Sequence, residues 1–306
     1  MIYGELDLFR RAIFFVKKIE QYIRWALQED LGNGDHTTKA CIPPQQRGSA
    51  HLLVKAEGVL AGMSTALHVF TQVDPHLEVK TMRHDGDRIQ AGDIIMEVTG
   101  SVASILQAER LFLNILQRMS GIATRTRLWS DKIAHTNCRL LDTRKTTPLH
   151  RVMEKEAVRC GGGVNHRMGL YDAILVKDNH VDACGGIREA LAAVQQYLSR
   201  ENLQLPVIVE VRSLEELDTL LKAGPVDRVL LDNFSVPRLT EALAMLRDFA
   251  KDGLKPTLIT EASGNIRWDN LVAYAETGVD FLSIGALTHS VEALDLSLKI
   301  SKIQAS

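Results

Sequence analysis

Charged side chains close a series of short apolar runs in the second half of the chain. Arg144 and Lys145 follow the first run, and Lys177 follows the second. Glu210 and Asp232 end the third and fourth runs. Arginine pairs well with carboxylate and phosphate, whereas two carboxylates can hold Mg²⁺, stabilise a developing cation or act as a base. These residue types predict an anion-binding site, although both carboxylates are equally well interpreted as salt-bridge partners of the cations.

Small residues close the last two apolar runs. Ser263 and Gly264 follow the fifth run, and Ser283 and Gly285 end the sixth. Loops of this kind hold phosphate through backbone N–H groups in many barrel enzymes. The sequence contains no GxxxxGK[ST] pattern, and the glycine run at 161–163 lacks the spacing of a dinucleotide fingerprint. The pattern therefore predicts phosphate-binding loops other than a P-loop or a Rossmann turn.

Cysteine and histidine residues offer other kinds of chemistry. The four cysteines are scattered without a CxxC pair, which argues against a disulfide scaffold or a zinc ribbon. Cys160 adjoins the glycine run and is a candidate nucleophile, but no signature of a catalytic thiol surrounds it. The histidines lack the regular spacing of metal ligands, which gives a three-histidine zinc site little support. His166 and His289 are better interpreted as donors to bound anions.

The sequence also predicts the strands and helices that position these residues. From about residue 139, six apolar runs alternate for the most part with helical segments: RLLDTR, DAILVKD, PVIVEV, RVLLDN, TLITEAS and DFLSIGA. Strands that are apolar on both faces and alternate with helices form parallel sheets. Six strands predict a (β/α) barrel with fewer than the usual eight. The carboxyl ends of such strands share one rim, so the residues that follow them should meet there.

The first part of the chain has an α+β pattern. Helical periodicity runs from about residue 8 to 28, and a second helix is predicted from about 103 to 119. Between about 49 and 99 the chain shows short β-like runs, with turns at Gly86 and Gly92.

Composition excludes several classes of protein. The 306 residues carry 36 basic and 38 acidic side chains, for a formal charge of −2. A nucleic-acid-coating protein shows a basic excess, so no nucleic-acid partner is expected. No run approaches the ~18 apolar residues that a membrane span requires, so we expect no membrane partner either. With its unpaired cysteines, the chain is expected to be soluble and cytoplasmic.

Several motifs occur together in a characteristic order. They are EDLGNGDHTT, AERLFLN, LDTRKTTP, EKEAVRCGGGVNHRMGLYDAILVKDNH, VEV, LLDNF, EASGNI and GVDFLSIGALTHS. The chain closely resembles the quinolinate phosphoribosyltransferase family over nearly its whole length. The resemblance implies an N-terminal α/β sandwich over residues 1–120, against which the tail 291–306 packs. It also implies an incomplete α/β barrel over residues 121–290.

The resemblance further implies an activity and its partners. The family transfers phosphoribosyl from phosphoribosyl pyrophosphate to quinolinate and releases pyrophosphate and CO₂. The product, nicotinate mononucleotide, is a precursor of NAD. Mg²⁺ is the expected cofactor, bound mainly through the substrate, with Glu210 and Asp232 as candidate direct ligands. The expected assembly is a homodimer or higher oligomer that shares its active sites.

Residue roles follow from the matched motifs. The residues expected to bind quinolinate are Arg110 (reaching into the neighbouring subunit), Thr143, Arg144, Lys145, His166, Arg167 and Lys177. Those expected to bind phosphoribosyl pyrophosphate are Glu210, Asp232, Ser263, Gly264, Asn265, Ser283, Ile284, Gly285 and His289. The expected catalytic residues are Glu210, Asp232, Lys145 and Lys177.

The chain departs from the family pattern in two places. Leu149 and His150 follow TTP, where a glycine is usual, and Arg212 follows VEV, where an acidic residue is usual. Three other functions stay open at this stage. The first is a Schiff-base lyase that uses Lys177, the second a non-catalytic anion-binding protein, and the third a nicotinate-specific phosphoribosyltransferase, which would need fewer cations.

Overall fold

Two compact units make up the protein. The computed structural model describes residues 5–251 and 258–303. The first unit contains the described residues up to Arg127, together with Thr147–Gly162 and the segment from Ser290 onward. The second contains Leu128–Thr146 and Gly163–His289. The units interleave along the chain, and the domain boundaries predicted at 120 and 290 stay predictions.

The helices and strands have the following bounds in chain order. Up to residue 132 they are α1 (Glu5–Leu31), α2 (His36–Cys41), β1 (Arg47–Val54), β2 (Gly58–Val59), α3 (Met63–Val73), β3 (Glu78–Thr81), β4 (Arg88–Ile89), β5 (Ile94–Ser101) and α4 (Val102–Lys132). The remainder are β6 (Arg139–Leu141), α5 (Arg151–Cys160), β7 (Ile174–Val176), α6 (Asp178–Cys184), α7 (Ile187–Arg200), β8 (Val207–Val211), α8 (Leu214–Ala223), β9 (Arg228–Asp232), α9 (Val236–Lys251), β10 (Ile259–Ser263), α10 (Leu271–Ala275), β11 (Phe281–Ser283), α11 (Ala286–His289) and β12 (Leu296–Ile303).

An antiparallel sheet forms the centre of the first unit. Its strand order is β12-β1-β5-β3, so a strand from the end of the chain pairs with the first strand. Alternate residues of β1, Ala50, Leu52 and Val54, are buried. They face the same side as Met96 and Val98 of β5, because side chains alternate between the two faces of a strand. This apolar face supplies the core of the unit.

Helix α3 was missed by the sequence analysis. It lies between two β-like runs, and its buried residues include Met63, Ala66, Val69 and Phe70. Their spacing of three and four residues is the helical signal that could have found it. Helix α4 begins close to its predicted start but continues to Lys132, thirteen residues beyond its predicted end. Its extension is also apolar at helical spacing, because Ile122 and Trp129, two turns apart, are both buried.

Six parallel strands form the sheet of the second unit. All six predicted apolar runs are strands, and their order is β6-β11-β10-β9-β8-β7. The first and second strands along the chain are therefore the two edges of the sheet, which leaves the barrel incomplete. The predicted fold class, an N-terminal α/β domain followed by an incomplete (β/α) barrel, is confirmed.

Burial explains why these strands read as continuous apolar runs. Every residue of β8 is buried, including Glu210, because a parallel sheet is covered on both faces. Ala173, Ile208 and Leu230 pack together as a core cluster, and Leu175 lies against them. Among the helices of residues 5–251 and 258–303, none has the length and apolar character of a membrane span.

Candidate active site

The carboxyl ends of the six parallel strands surround one cavity in the second unit. Its volume of about 770 Å³ lies within the range of small-molecule sites. The cavity brings together almost all the predicted site residues, which are Thr143, Arg144, Lys145, His166, Arg167, Lys177, Glu210, Asp232, Ser263, Gly264, Asn265, Ser283, Ile284, Gly285 and His289. Their assigned roles stay predictions, but their common location agrees with the rule that parallel strands present chemistry at their carboxyl ends.

Arg110 is the one predicted site residue outside this cavity. It lies exposed on α4 in the first unit, where it lines a second cavity with Arg118 and Glu154. The carboxylate of Glu154 is buried and accepts hydrogen bonds from Arg118 Nε (2.9 Å) and Nη2 (2.6 Å). The prediction that Arg110 serves a neighbouring subunit stays a prediction.

Cations form one side of the barrel cavity. Arg144 and Lys145 follow β6, and the hydroxyl of Thr143 accepts a hydrogen bond from the Lys145 backbone N–H at 3.0 Å. The guanidinium of Arg167 donates from Nη1 to the Ala173 carbonyl at 3.0 Å, while its Nε is buried without a hydrogen-bond partner among the described residues. Burial lowers the pKa of Arg167, and the nearby charge of Arg144 lowers it further. This concentration of like charge favours an anionic ligand.

His166 is held by its surroundings more tightly than the sequence indicated. Its ring Nδ1 accepts from the Arg167 backbone N–H at 2.7 Å, and its own backbone N–H donates to the buried Asp142 at 2.8 Å. Its Nε2 lies 3.4 Å from Glu261 Oε1, which is long for a hydrogen bond. Both ring nitrogens thus have neighbours within the protein. Donation to a bound anion, as the sequence predicted, requires the contact with Glu261 to open.

Lys177 and Glu210 face each other across neighbouring strand ends. The distance from Lys177 Nζ to Glu210 Oε2 is 3.9 Å. Lys177 is the N-cap residue of α6, and His180 Nδ1 accepts from its backbone N–H at 3.0 Å. Burial raises the pKa of Glu210, while Lys177 opposes that rise and Asp232 adds to it. Glu210 is therefore a carboxylate that gains from a cationic neighbour, whether a side chain, a metal ion or a developing positive charge.

Asp232 is built into a polar loop network. It accepts hydrogen bonds from Ser263 Oγ at 2.5 Å and from Asn233 Nδ2 at 2.6 Å. Asn233 Oδ1 in turn accepts from Asn265 Nδ2 at 3.1 Å. The backbone of Asn233, Gly264 and Asn265 has positive φ, at 57°, 85° and 53° respectively. Asparagine and glycine tolerate this left-handed region best, so residue type and loop shape agree.

The other glycine loop closes the cavity beside the cations. A Cβ at Gly285 would lie 3.1 Å from side-chain atoms of both His289 and Lys145. The hydroxyl of Thr288 donates to the Lys145 carbonyl at 2.8 Å. The phosphate-type loop after β11 and the cationic loop after β6 are thus in direct contact, as expected for adjacent strands.

Several functional candidates were not assigned from the sequence. The cavity lining also includes Leu175, Asp178, Leu230, Asn233, Glu261, Ile266, Arg267 and Ala286. Glu261 is the most deeply buried charged residue among them. It is the third residue of β10 and fully buried, and a charged residue within an apolar strand was the signal that could have revealed it.

Two alternative chemistries receive no structural support. Burial raises the pKa of the Cys160 thiol to about 12, with the nearby carboxylates of Asp85 and Glu156 adding to the rise. A nucleophilic thiolate is therefore disfavoured at that position. Within residues 5–251 and 258–303, no group of three or more His, Cys, Asp or Glu side chains is placed to hold a metal ion.

Fold and site together define a class of protein: a two-unit barrel protein with a polar cavity suited to a polyanionic ligand. Family models assign the chain more narrowly. Residues 35–120 match the N-terminal domain of quinolinate phosphoribosyl transferase, and residues 122–299 match its C-terminal domain. The chain belongs to the quinolinate phosphoribosyltransferase family.

Individual relatives match the chain over most of its length. The chloroplastic nicotinate-nucleotide pyrophosphorylase [carboxylating] of Arabidopsis thaliana is 44% identical, covering 92% of this chain and 82% of that protein. The protein of the same function name from Mycobacterium leprae is 43% identical, covering 91% and 95%. Among solved structures, the nicotinate-nucleotide pyrophosphorylase of Francisella tularensis is 37% identical with a TM-score of 0.84, covering 93% of this chain and 96% of that one.

Proposed function

We propose that this chain transfers the phosphoribosyl group of phosphoribosyl pyrophosphate to quinolinate and decarboxylates the product to nicotinate mononucleotide. The supporting observation is the cavity of the barrel. Arg144, Lys145, Arg167 and Lys177 line it, as do the two glycine loops, in a chain 43–44% identical to enzymes named for this reaction. A pyridine dicarboxylate carries two negative charges and its phosphoribosyl donor carries more, so the ligands match the cations that line the site.

The first chemical step is displacement at the anomeric carbon. The lone pair of the pyridine nitrogen forms a bond to C1′ of the ribose, while the bond from C1′ to the pyrophosphate oxygen breaks. Pyrophosphate leaves with the electron pair. Positive charge develops on the ribose in the transition state, and we expect the carboxylates of Glu210 and Asp232, which line the same cavity, to stabilise it. Burial of Glu210 strengthens this electrostatic effect, because the local dielectric is low.

The second step removes the carboxyl group next to the ring nitrogen. The bond between C2 and the carboxylate carbon breaks, CO₂ departs, and the electron pair stays on C2 beside the positively charged nitrogen. A proton then replaces CO₂ at C2. The cations position the dicarboxylate for both steps, and no covalent bond to the protein is required.

The donor set of the cavity fits Mg²⁺ carried by the substrate. Mg²⁺ usually binds through one or two carboxylates together with substrate phosphates and waters. Glu210 and Asp232 provide two carboxylates in the lining of the cavity. We propose that Glu210 and Asp232 would be the protein ligands of Mg²⁺, which would supply positive charge to the pyrophosphate leaving group.

A reaction with purified components tests this function. The protein is mixed with quinolinate, phosphoribosyl pyrophosphate and Mg²⁺, and nicotinate mononucleotide and pyrophosphate are quantified by chromatography. We expect equimolar products, and we expect chelation of Mg²⁺ to suppress turnover. Absence of product under these conditions would overturn the proposal. The variant Lys177→Met serves as a negative control, since its change removes one of the predicted catalytic cations.

We further propose, from the family resemblance, that the protein is a homodimer or higher oligomer in which Arg110 enters the active site of the partner subunit. Arg110 is exposed and does not line the barrel cavity of its own second unit. Mixed dimers of Arg110→Ala and Lys177→Met chains test the proposal. One of the two sites in each mixed dimer would be intact, so activity should recover towards a quarter to a half of the native value on mixing. No recovery in verified mixed dimers would contradict it.

We also propose a cytoplasmic location. All four cysteines are free thiols, as expected in a reducing compartment. The names of several plant relatives specify mitochondria or chloroplasts, so the location depends on the host cell. Fluorescence microscopy of the tagged protein in its own cells tests this point, and an organellar pattern would contradict it.

A further inference from the structure

A fully buried carboxylate lies in the barrel cavity and has no role in the chemistry described above. Glu261 is on β10, and its side chain is 0% exposed. Its Oε2 accepts from Arg228 Nη1 at 3.0 Å. Its Oε1 accepts a short hydrogen bond from the hydroxyl of Ser283 and lies 3.4 Å from His166 Nε2. One carboxylate therefore connects three separate parts of the barrel.

The two oxygens of Glu261 have different partners. Oε2 faces Arg228, a cation that also lies over the ring of Phe281 at 4.9 Å. Oε1 faces His166 and Ser283, both of which line the cavity. Burial by itself raises the pKa of Glu261, but the contacts with His166, Ser283 and Arg228 outweigh it and lower the pKa below its ordinary value. The group is therefore an anion with one counter-ion on one side and two site residues on the other.

The contacts of His166 determine where its ring proton lies. Nδ1 accepts a hydrogen bond from the Arg167 backbone N–H, so it carries no proton. The neutral ring then has its proton on Nε2, directed at the carboxylate of Glu261. A ring fixed in this way also fixes the backbone N–H of Arg167, whose side chain is one of the cavity cations.

Ser283 transmits the same contact to the other half of the cavity. It is the last residue of β11 and precedes the Ile284-Gly285 turn, whose residues line the cavity. Ile284 is itself held against β6, since its backbone N–H donates to the Leu141 carbonyl at 2.9 Å. An acceptor that holds the hydroxyl of Ser283 therefore defines where the phosphate-type loop begins.

We propose that Glu261 is a positioning residue, which holds His166 as the Nε2–H tautomer and orients Ser283, and so sets the geometry of both halves of the cavity. The assignment of the two halves to quinolinate and to phosphoribosyl pyrophosphate rests on the proposed function. The alternative is a carboxylate that serves only as the structural counter-ion of Arg228. The two interpretations differ in what happens to His166.

Nitrogen NMR of the native protein tests the tautomer without requiring turnover. The protein is labelled with ¹⁵N in its histidine side chains, and His166 is assigned by comparison with a His166→Asn sample. At neutral pH we expect one neutral tautomer with the proton on Nε2. A mixture of tautomers, or a proton on Nδ1, would overturn the proposal whatever the activity of the protein. This spectrum requires no substrate, so its result tests the role of Glu261 even if the protein does not catalyse the proposed phosphoribosyl transfer.

The variant Glu261→Gln tests the consequence for binding. An amide has one acceptor oxygen, and the permanent cation Arg228 requires it. The amide N–H₂ group is then directed at His166 and Ser283, so Ser283 loses its acceptor and His166 Nε2 loses the carboxylate that it faces. Losing a hydrogen bond to a charged group typically changes affinity by tenfold or more. We expect KM to rise at least about tenfold for both substrates, kcat to fall less, and the single His166 tautomer to disappear.

A matched control separates positioning from stability. Asp280 directly precedes β11, and its Oδ2 accepts from the backbone N–H (2.8 Å) and hydroxyl (2.7 Å) of Thr260, which precedes Glu261 on β10 but does not line the cavity. Asp280→Ala therefore weakens the same pair of strands away from the cavity. It should lower the unfolding midpoint with both KM values within twofold of native. If Glu261→Gln behaves like this control, Glu261 is only structural. If Glu261→Gln does not fold, Glu261→Asp is measured in its place, because its shorter carboxylate keeps the charge beside Arg228 but withdraws from His166 and Ser283; KM values within twofold of native would then overturn the proposal.

Discussion

Gly264 offers a quantitative test of the loop that holds Asp232. Its φ is +85°, and a Cβ built on it would lie 2.1 Å from Asn233 Oδ1 and 2.6 Å from Asn233 Cγ. Side-chain atoms cannot approach so closely, so alanine at this position must displace Asn233. That side chain donates to Asp232 and accepts from Asn265, and both hydrogen bonds would be lost.

The expected cost has two parts. Left-handed backbone costs an alanine about 1–2 kcal/mol, while the lower entropy of the unfolded alanine chain offsets about 0.4–1 kcal/mol of that. The two lost hydrogen bonds add about 2–4 kcal/mol, since one of them involves a charged acceptor. We therefore expect Gly264→Ala to lower the free energy of unfolding by about 2.5–5 kcal/mol.

Gly278 is a control for the backbone part alone. Its φ is +88°, almost the same as that of Gly264, but a Cβ there would have no neighbour within 4 Å. Gly278→Ala should therefore cost only about 0.5–1 kcal/mol. Chemical denaturation gives both values, and steady-state kinetics gives KM for phosphoribosyl pyrophosphate. KM should rise at least about tenfold for the variant at Gly264 and stay unchanged for the control. Equal effects of the two substitutions on stability and on KM would refute this reasoning.

Three further predictions concern single side chains. Leu149 has φ 65° and is 75% exposed. Leu149→Gly should therefore relieve left-handed strain and raise the free energy of unfolding by about 0.5–1 kcal/mol. Urea titration measures this change, and a lower free energy of unfolding would contradict backbone strain at Leu149. Arg144→Ala should raise KM for quinolinate at least about tenfold with little change in the unfolding midpoint, and an unchanged KM would count against the anion site. Because burial raises the pKa of Glu210, its charge is unfavourable in the folded state, so Glu210→Gln should unfold at higher denaturant than native at pH 7 while losing activity. That stability advantage should shrink as pH falls through the raised pKa of Glu210. An advantage independent of pH would show that the pKa of Glu210 is not raised in the folded protein.

The barrel was predictable from the sequence because its strands carry a strong local signal. Runs such as PVIVEV are apolar on both faces, and each is followed by a polar or small residue. Parallel strands necessarily present these endings at one rim, so the sequence alone groups the cationic residues with Glu210 and Asp232.

The contacts inside that rim were less predictable, because they join residues far apart in sequence. The contact between His166 and Glu261 spans 95 positions, and neither residue type specifies the other. His166 was interpreted as an anion donor, whereas in the folded chain both ring nitrogens have protein neighbours. The identity of quinolinate likewise came from family resemblance, since charge alone predicts only an anion.

Leu149 shows how a departure from the family pattern acquires a physical meaning. The family resemblance implies glycine after TTP, and the left-handed backbone of Leu149 is a conformation that glycine adopts more easily than leucine. Leucine fits there at a cost in strain, and its side chain extends into solvent rather than into the protein. The other departure, Arg212, donates to Asp182 and Glu216 at 2.6–3.1 Å, so it forms a surface ion-pair network.

Competition between quinolinate and nicotinate is the most direct test of a cavity built for a dicarboxylate. Both acids are offered with phosphoribosyl pyrophosphate and Mg²⁺, and nucleotide formation and CO₂ release are measured together. We expect quinolinate to have the higher kcat/KM by at least about a hundredfold, because nicotinate lacks the second carboxylate that the cations bind. Each nucleotide formed should be accompanied by one CO₂. A preference for nicotinate, or nucleotide formation from quinolinate without CO₂, would contradict the proposed function.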